Sequence, residues 1–312
     1  MKSIKAALLL IIMILGRPLF AGEAGNELLQ AALVGDVETV EALLKKGLKP
    51  DTANKFGKSA LMFATEEGNN EVVELLVSKG ANVSATSVAS CTALTFAAEG
   101  NYPKIAELLL SKGAKTTTKT RAGWDALMIA ARYGHTEVVN LLVMHGANVD
   151  TSDKEGMTPL MVAADKGHFD VVSKLLEAKA SMHIRDKHNA SAVMIAAGHG
   201  RLPIVELLIK KGCNVNARSD DGASALFWAA ENGRSNTVRT LLEHGATIDL
   251  QDRDGMTALM AAVIANRVKS VKALLEHGAE TTIKDSTGST ALDYAKATKQ
   301  GELINLLRET KK

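Results

Sequence analysis

The feature that most restricts this chain is a residue that returns every 33 positions. Gly57, Gly123, Gly156, Gly222, Gly255 and Gly288 lie on one grid of that spacing, and Ser90 and Asn189 fill its gaps. The grid runs from 57 to 288 without an insertion, which chance does not produce. A fixed period of this length marks a repeat architecture, in which each unit buries its apolar face against its neighbours.

Every position within the period has a physical task. Two residues after the grid point stand Ser59, Thr92, Asp125, Thr158, Ser191, Ser224, Thr257 and Thr290, all suited to cap a helix N-terminus. Ala follows, or once Pro159, which suits a first helical residue. Farther along, Ala64, Ala97, Ala130, Ala163, Ala196, Ala229, Ala262 and Ala295 recur where a neighbouring backbone leaves no room for a larger side chain. Gly or Asn at 68, 101, 134, 167, 200, 233 and 266 stops this first helix in a left-handed conformation. A second helix follows, as in "EVVELLVSKG" (71–80), and its innermost residue is always Leu: 76, 109, 142, 175, 208, 241, 274 and 307. Gly at 80, 113, 146, 212, 245 and 278 ends it, with Lys179 the exception. Aromatics make up only 4% of the chain, so the core is built of Ala, Leu and Val, which suits close-packed helices.

"GMTPLMVAADKGHFDVV" (156–172) and "LLVMHGANVD" (141–150) resemble the ankyrin repeat. The family pattern is G-x-T-P-L-H-x-A-A, then G-H, V-V-x-L-L and G-A-x-V. The resemblance covers about residues 24–312 in eight in-register copies. It implies an all-α repeat solenoid of β-turn fingers and antiparallel helix pairs, about nine copies with the caps. Residues 24–56 have a helix pair without a finger and read as an N-terminal cap. Seven full repeats span 57–287, and 288–312, with Asp293, Lys296, Lys299 and Lys312, is the C-terminal cap. Residues 22–312 are thus expected to form a single domain.

Residues 1–21 read as a secretory signal. Lys2 and Lys5 precede the apolar run Ala6–Leu15, and "RPLFAG" favours cleavage after Ala21. The run is about half the roughly 20 residues of a membrane span. Export points to a bacterial periplasm, with no membrane attachment after cleavage. Losing Lys2, Lys5 and Arg17 and no acid turns the formal charge of +2 into −1. A nearly neutral chain has no global field for nucleic acid.

"GMTPLM" (156–161) and "GMTALM" (255–260) each carry two methionines at a spacing open to a soft metal such as Cu(I). Yet Met161 and Met260, like Met62, Met128 and Met194, fill the place of the family's His, where Met is an adaptable packing residue. His183, His188 and His199 have no Cys or carboxylate at ligand spacing. No metal or cofactor is therefore expected. In the implied fold Cys91 and Cys213 lie roughly 30 Å apart by stacking of helix layers, beyond the about 7 Å of a disulfide. "GHGRLP" (198–203) echoes a phosphate loop but sits at an inter-helix turn with no strand before it. No catalytic Ser–His–acid set separates from the capping residues. The chain is read as no enzyme.

What the repeat leaves free carries the function. In ankyrin-like proteins the fingertips and the ends of the first helices line a binding groove. Here those positions give Phe56, Lys58, Arg121, Trp124, Arg132, Tyr133, Lys154, Met157, Lys166, His188, His199, Arg253 and Met256. Trp124 and Tyr133 belong to one repeat, with Arg132 between them and Phe56 and Met157 flanking them. Aromatics and Arg are enriched in binding hot spots, and the alternative is that Trp124 packs on the next finger. Trp228 shares its position with Phe63, Phe96 and Ile129 and is expected in the core. The finger "SVASC" (87–91) lacks both the Asp and the Gly, so its turn is expected to be irregular, a candidate for a specialised contact or for local mobility. The leading reading is an exported, monomeric module that binds another folded, periplasmic protein, as inhibitor or self-protection factor for a periplasmic or cell-wall-acting enzyme. The alternatives are a secreted effector of a host protein and a periplasmic Cu/Zn or small-molecule binder.

Overall fold

Each period of the sequence becomes a tight turn and two short helices. The computed structural model describes residues 22–309. The expected leader, residues 1–21, and Lys312 lie outside them. The described residues hold eighteen helices and a single isolated bridge, Ala53 to Ser59. No helix among them is long and apolar enough to cross a membrane.

The caps explain where the first helices begin. Ser59, Thr92, Thr158, Ser224, Thr257 and Thr290 each accept the backbone N–H three residues on. Asp125 takes the N–H of Met128 at 3.0 Å. Ser191 has the same extended backbone, yet its hydroxyl caps nothing and is buried without a partner. The stops are equally regular. Every Gly on the three turn columns is left-handed, and so are the residues that replace it: Ser90 (φ 61°), Asn101 (φ 56°), Lys179 (φ 66°), Asn189 (φ 60°), Asn266 (φ 54°) and Lys299 (φ 56°). The fold imposes this conformation on Ser90 and Lys179 against their intrinsic preference.

The packing of the chain divides into two units: residues up to Ala130 with Asn140–Ala147, and Ala131–Val139 with the chain from Asn148 on. In the first, α1 (Glu23–Val34), α3 (Ala60–Glu66) and α5 (Ala93–Gly100) stack as one layer. Their partners α2 (Val37–Lys45), α4 (Asn70–Ser78) and α6 (Pro103–Ser111) stack as another. Helices α7 (Ala126–Tyr133) and α8 (Thr136–Met144) each contribute residues to both units. In the second, α9 (Pro159–Lys166), α11 (Ala192–Gly198), α13 (Ala225–Glu231), α15 (Ala258–Ile264) and α17 (Ala291–Ala297) form one layer. The other layer is α10 (Phe169–Glu177), α12 (Leu202–Lys210), α14 (Ser235–Glu243), α16 (Val268–Glu276) and α18 (Gly301–Glu309).

The eight column alanines and the eight column leucines are all 0% exposed. Burying one such Leu stabilises by about 1.5–3 kcal/mol, so the repeated column is the main apolar support of the stack. Met62, Met128, Met161, Met194 and Met260 are buried among them.

Two hydrogen-bond ladders tie successive repeats. At the loop between the helices of a repeat, a side chain reaches the end of the preceding repeat's first helix. Asn69 donates to the carbonyls of Ala32 and Leu33, both at 2.9 Å. In the second unit His168 Nε2 donates to Arg132, Arg201 to Asp165, Arg234 to Gly198 and Arg267 to Glu231, at 2.9–3.2 Å. These bonds satisfy carbonyls that a helix end otherwise leaves open. On the fingers, backbone joins backbone: Val88 N–H donates to Phe56 (2.8 Å) and Arg121 to Ala89 (3.0 Å) in the first unit. In the second, Lys187 donates to Glu155, Asp220 to His188, Arg253 to Asp221 and Ser286 to Asp254.

The finger at 87–91 is not irregular. The Ser87 N–H donates to the Cys91 carbonyl at 2.9 Å, as the Asp153 N–H donates to that of Met157 at 3.1 Å. Its hydroxyl accepts the Cys91 N–H at 3.1 Å, where Asp153 uses Oδ1 for Met157. Serine's shorter oxygen takes over the task of Asp, and Ser90 supplies the left-handed corner.

Candidate protein-binding face

The fingers and the ends of the first helices are where side chains escape the repeat. In the first unit, Phe56 stands 59% exposed at a fingertip, with Lys55 Nζ 5.1 Å from its ring centroid. Lys58, two residues on, is not a free cation. Its ammonium lies 4.4 Å from the Phe63 ring centroid and 4.8 Å from that of Phe96, and it pairs with Glu66. Arg121 is exposed and donates to the Val88 carbonyl at 3.3 Å. Trp124 is half-buried, and its backbone closes the finger turn onto Thr120.

In the second unit Tyr133 is 46% exposed and stacks on His135, ring centroids 5.9 Å apart. Arg132 is half-buried and gives its carbonyl to His168. Lys166 and His199 converge on Asp165, at 2.8 and 3.1 Å, so the carboxylate is shared between two helix ends. Lys154, His188 and Arg253 are exposed on their fingers, while Met157 and Met256 are half-buried. The cluster imagined around Trp124 thus divides: Phe56 and Trp124 fall in the first unit, Arg132, Tyr133 and Met157 in the second.

Trp228 corrects an expectation. It is half-buried, as are Phe63 and Phe96, and only Ile129 of the four is fully covered. The column runs along the rim of the core. Gly198 lies under Trp228, and a Cβ there would stand 3.4 Å from indole Cε3, so the absent side chain makes the bed for the ring.

Three exposed apolar residues on fingers or first-helix ends escaped sequence reasoning, and one of them is Val34, 49% exposed at the end of α1. Val88 is 60% exposed on the finger beside that of Phe56. Ile264 is 42% exposed at a helix end where Glu66, Arg132, Asp165 and Glu231 stand in other copies. For Ile264 the signal was present, an apolar residue in a charged column.

The metal reading finds little geometry. Met161 and Met260 are 1% exposed inside the core, whereas Met157 and Met256 lie at the surface, so the two sulfurs of each pair face different surroundings. Among the described residues no group of three or more His, Cys, Asp or Glu is placed to hold an ion. Cys91 and Cys213 are both free thiols.

Comparison with known proteins joins this geometry to a family. A model described as ankyrin repeats in three copies matches residues 28–120, 113–188 and 175–252, and one of many copies matches 229–295. The chain belongs to the ankyrin repeat family. The crystal structure of the human ASB11 ankyrin repeat domain is similar at a TM-score of 0.65 and 26% identity, over 70% of this chain and 96% of that one. No curated protein matches. Ankyrin repeats make this chain a protein–protein interaction module, on a fold that is typically a non-catalytic scaffold.

Proposed function

We propose that the mature chain is an exported bacterial ankyrin repeat protein that performs no catalysis and binds another folded protein of the periplasm. Its role there is to inhibit, or to protect the producing cell from, a periplasmic or cell-wall-acting enzyme. The observation that carries this reading is the division of labour among residues. Column positions are spent on caps, stops and core, while fingers and helix ends present Phe56, Arg121, Tyr133, Lys154, His188 and Arg253 to solvent. Fingers tied by backbone hydrogen bonds lose little freedom on docking, which favours a stoichiometric binder. The leader pattern of residues 1–21 supports export, and the nearly neutral mature chain favours a protein over nucleic acid.

Two measurements test it. N-terminal sequencing of the protein from an envelope fraction should read from Gly22; an intact leader on cytoplasmic protein contradicts export. Residues 22–312 added to the captured enzyme should suppress its activity with an endpoint near one equivalent. Full activity at saturating binder removes the inhibitor role.

A further inference from the structure

The fingers of the two units differ in charge. Fingers 54–58 (NKFGK), 87–91 (SVASC) and 120–124 (TRAGW) carry Lys55, Lys58 and Arg121 and no acid. Those of the second unit carry Asp153, Glu155, Asp186, Asp220, Asp221, Asp252, Asp254 and Asp285 against Lys154, Lys187 and Arg253, so none of them is net basic. Of the large apolar side chains that stand exposed among the described residues, only Phe56 and Val88 sit on fingers, and the two fingers adjoin. Lys58 is bound inward by Glu66 and two rings, so the cations left at these tips are Lys55, over Phe56, and Arg121, at the Val88 carbonyl. The result is an apolar pair flanked by cations on a strip whose backbones are hydrogen-bonded together.

We propose that this strip, within the interaction role argued above, holds an acidic segment of the partner protein that carries an exposed large apolar side chain. The apolar side chain covers Phe56 and Val88, and carboxylates on either side meet Lys55 and Arg121. A protein segment suits the strip better than an anionic membrane. Two cations contribute only about 1 kcal/mol each at a lipid surface, too little for stable attachment. Aromatic side chains and Arg are enriched in protein hot spots, and complementary charge at a rim steers the partner and sets specificity.

The test is photo-crosslinking in the producing cells, using the full chain with p-benzoylphenylalanine at Phe56, at Val88 or at Tyr133. Adducts from positions 56 and 88 should map by mass spectrometry to a partner peptide rich in Asp and Glu around a Phe, Leu, Ile or Met. Adding Lys55→Glu and Arg121→Glu should cut their yield about tenfold or more, as charge reversal at a rim slows association. Adducts that map to a basic or uncharged segment, to lipid, or to a second copy of this chain overturn the inference, as does a yield unaffected by charge reversal. Adducts from Tyr133 without any from 56 or 88 overturn the fingertip site while leaving the interaction module intact. No adduct from any of the three overturns both.

Discussion

The ammonium of Lys58 lies 4.8 Å from the ring centroid of Phe96, a residue of the following repeat. A finger cation therefore helps to join two repeats rather than waiting for a ligand. Its side chain is only 19% exposed, and Phe63 and Glu66 complete its surroundings. A cation over an aromatic face contributes about 0.5–1 kcal/mol when exposed and about 2 when desolvated. Lys58→Met should lower stability by about 1 kcal/mol in urea unfolding, and Phe96→Leu in the Lys58→Met background should add less than Phe96→Leu alone. Strict additivity in that double-mutant cycle would show that the two side chains do not interact.

Buried hydroxyls separate useful from idle polar groups. Ser224 caps a helix through the Phe227 N–H at 3.3 Å, whereas the hydroxyls of Ser191 and Ser270 are buried without a partner. Ser270 is 0% exposed at the place taken by Val72, Val138 and Val171 in other copies. Ser270→Val should stabilise by about 1 kcal/mol, since a buried polar group without a partner costs that much or more. Ser191→Ala should change little, and Ser224→Ala should cost about 1 kcal/mol. Chemical denaturation of the three variants checks the ranking, and equal losses at 191 and 224 would contradict it.

The final described repeat should be acid-sensitive. Asp285, little exposed, accepts the Tyr294 hydroxyl, the Thr287 hydroxyl and the backbone N–H groups of Thr287 and Ser289. The Tyr294 and Thr287 hydroxyls favour its ionised form and lower its pKa from 3.8 to about 2. A depressed carboxylate stabilises the fold fully above its unfolded pKa of about 4, and that contribution fades as pH falls towards 2. Amide exchange in residues 285–294 should quicken over that interval, and Asp285→Asn should remove the dependence. An unchanged acid profile in the variant would assign it to other carboxylates.

Cys213 should be a slow thiol. Burial pushes its pKa up to about 11, so little thiolate exists at neutral pH. Disulfide-exchange reagents at pH 8 should react with Cys213 slowly in the folded Cys91→Ser variant and rapidly in denaturant. Rapid reaction of the native variant would show that the site is open.

The columns were legible in the sequence because one backbone geometry selects the same residue at each copy. Ala64, Leu76 and Gly68 recur because close approach, burial and a left-handed turn recur. Contacts between copies left no such mark. Nothing in "SVASC" announces that a Ser hydroxyl does the work of Asp, nor in "KFGK" that Lys58 turns inward to Phe63, Phe96 and Glu66. Trp228 was misjudged for the same reason, since its bed is Gly198, in the repeat before it. Exposure at Val88 depends on which neighbours lie across from it, and those are set by stacking rather than by local pattern.

The most direct test of the binding account is paired affinity capture from envelope extract. One bait is residues 22–312, and the other carries Phe56→Ala, Trp124→Ala and Tyr133→Ala. Both should show the same helical circular dichroism, because none of the three side chains belongs to the buried columns. The account predicts one dominant partner on the first bait, near one-to-one, and at least about tenfold less on the second. Equal retention of that partner by both baits would contradict it.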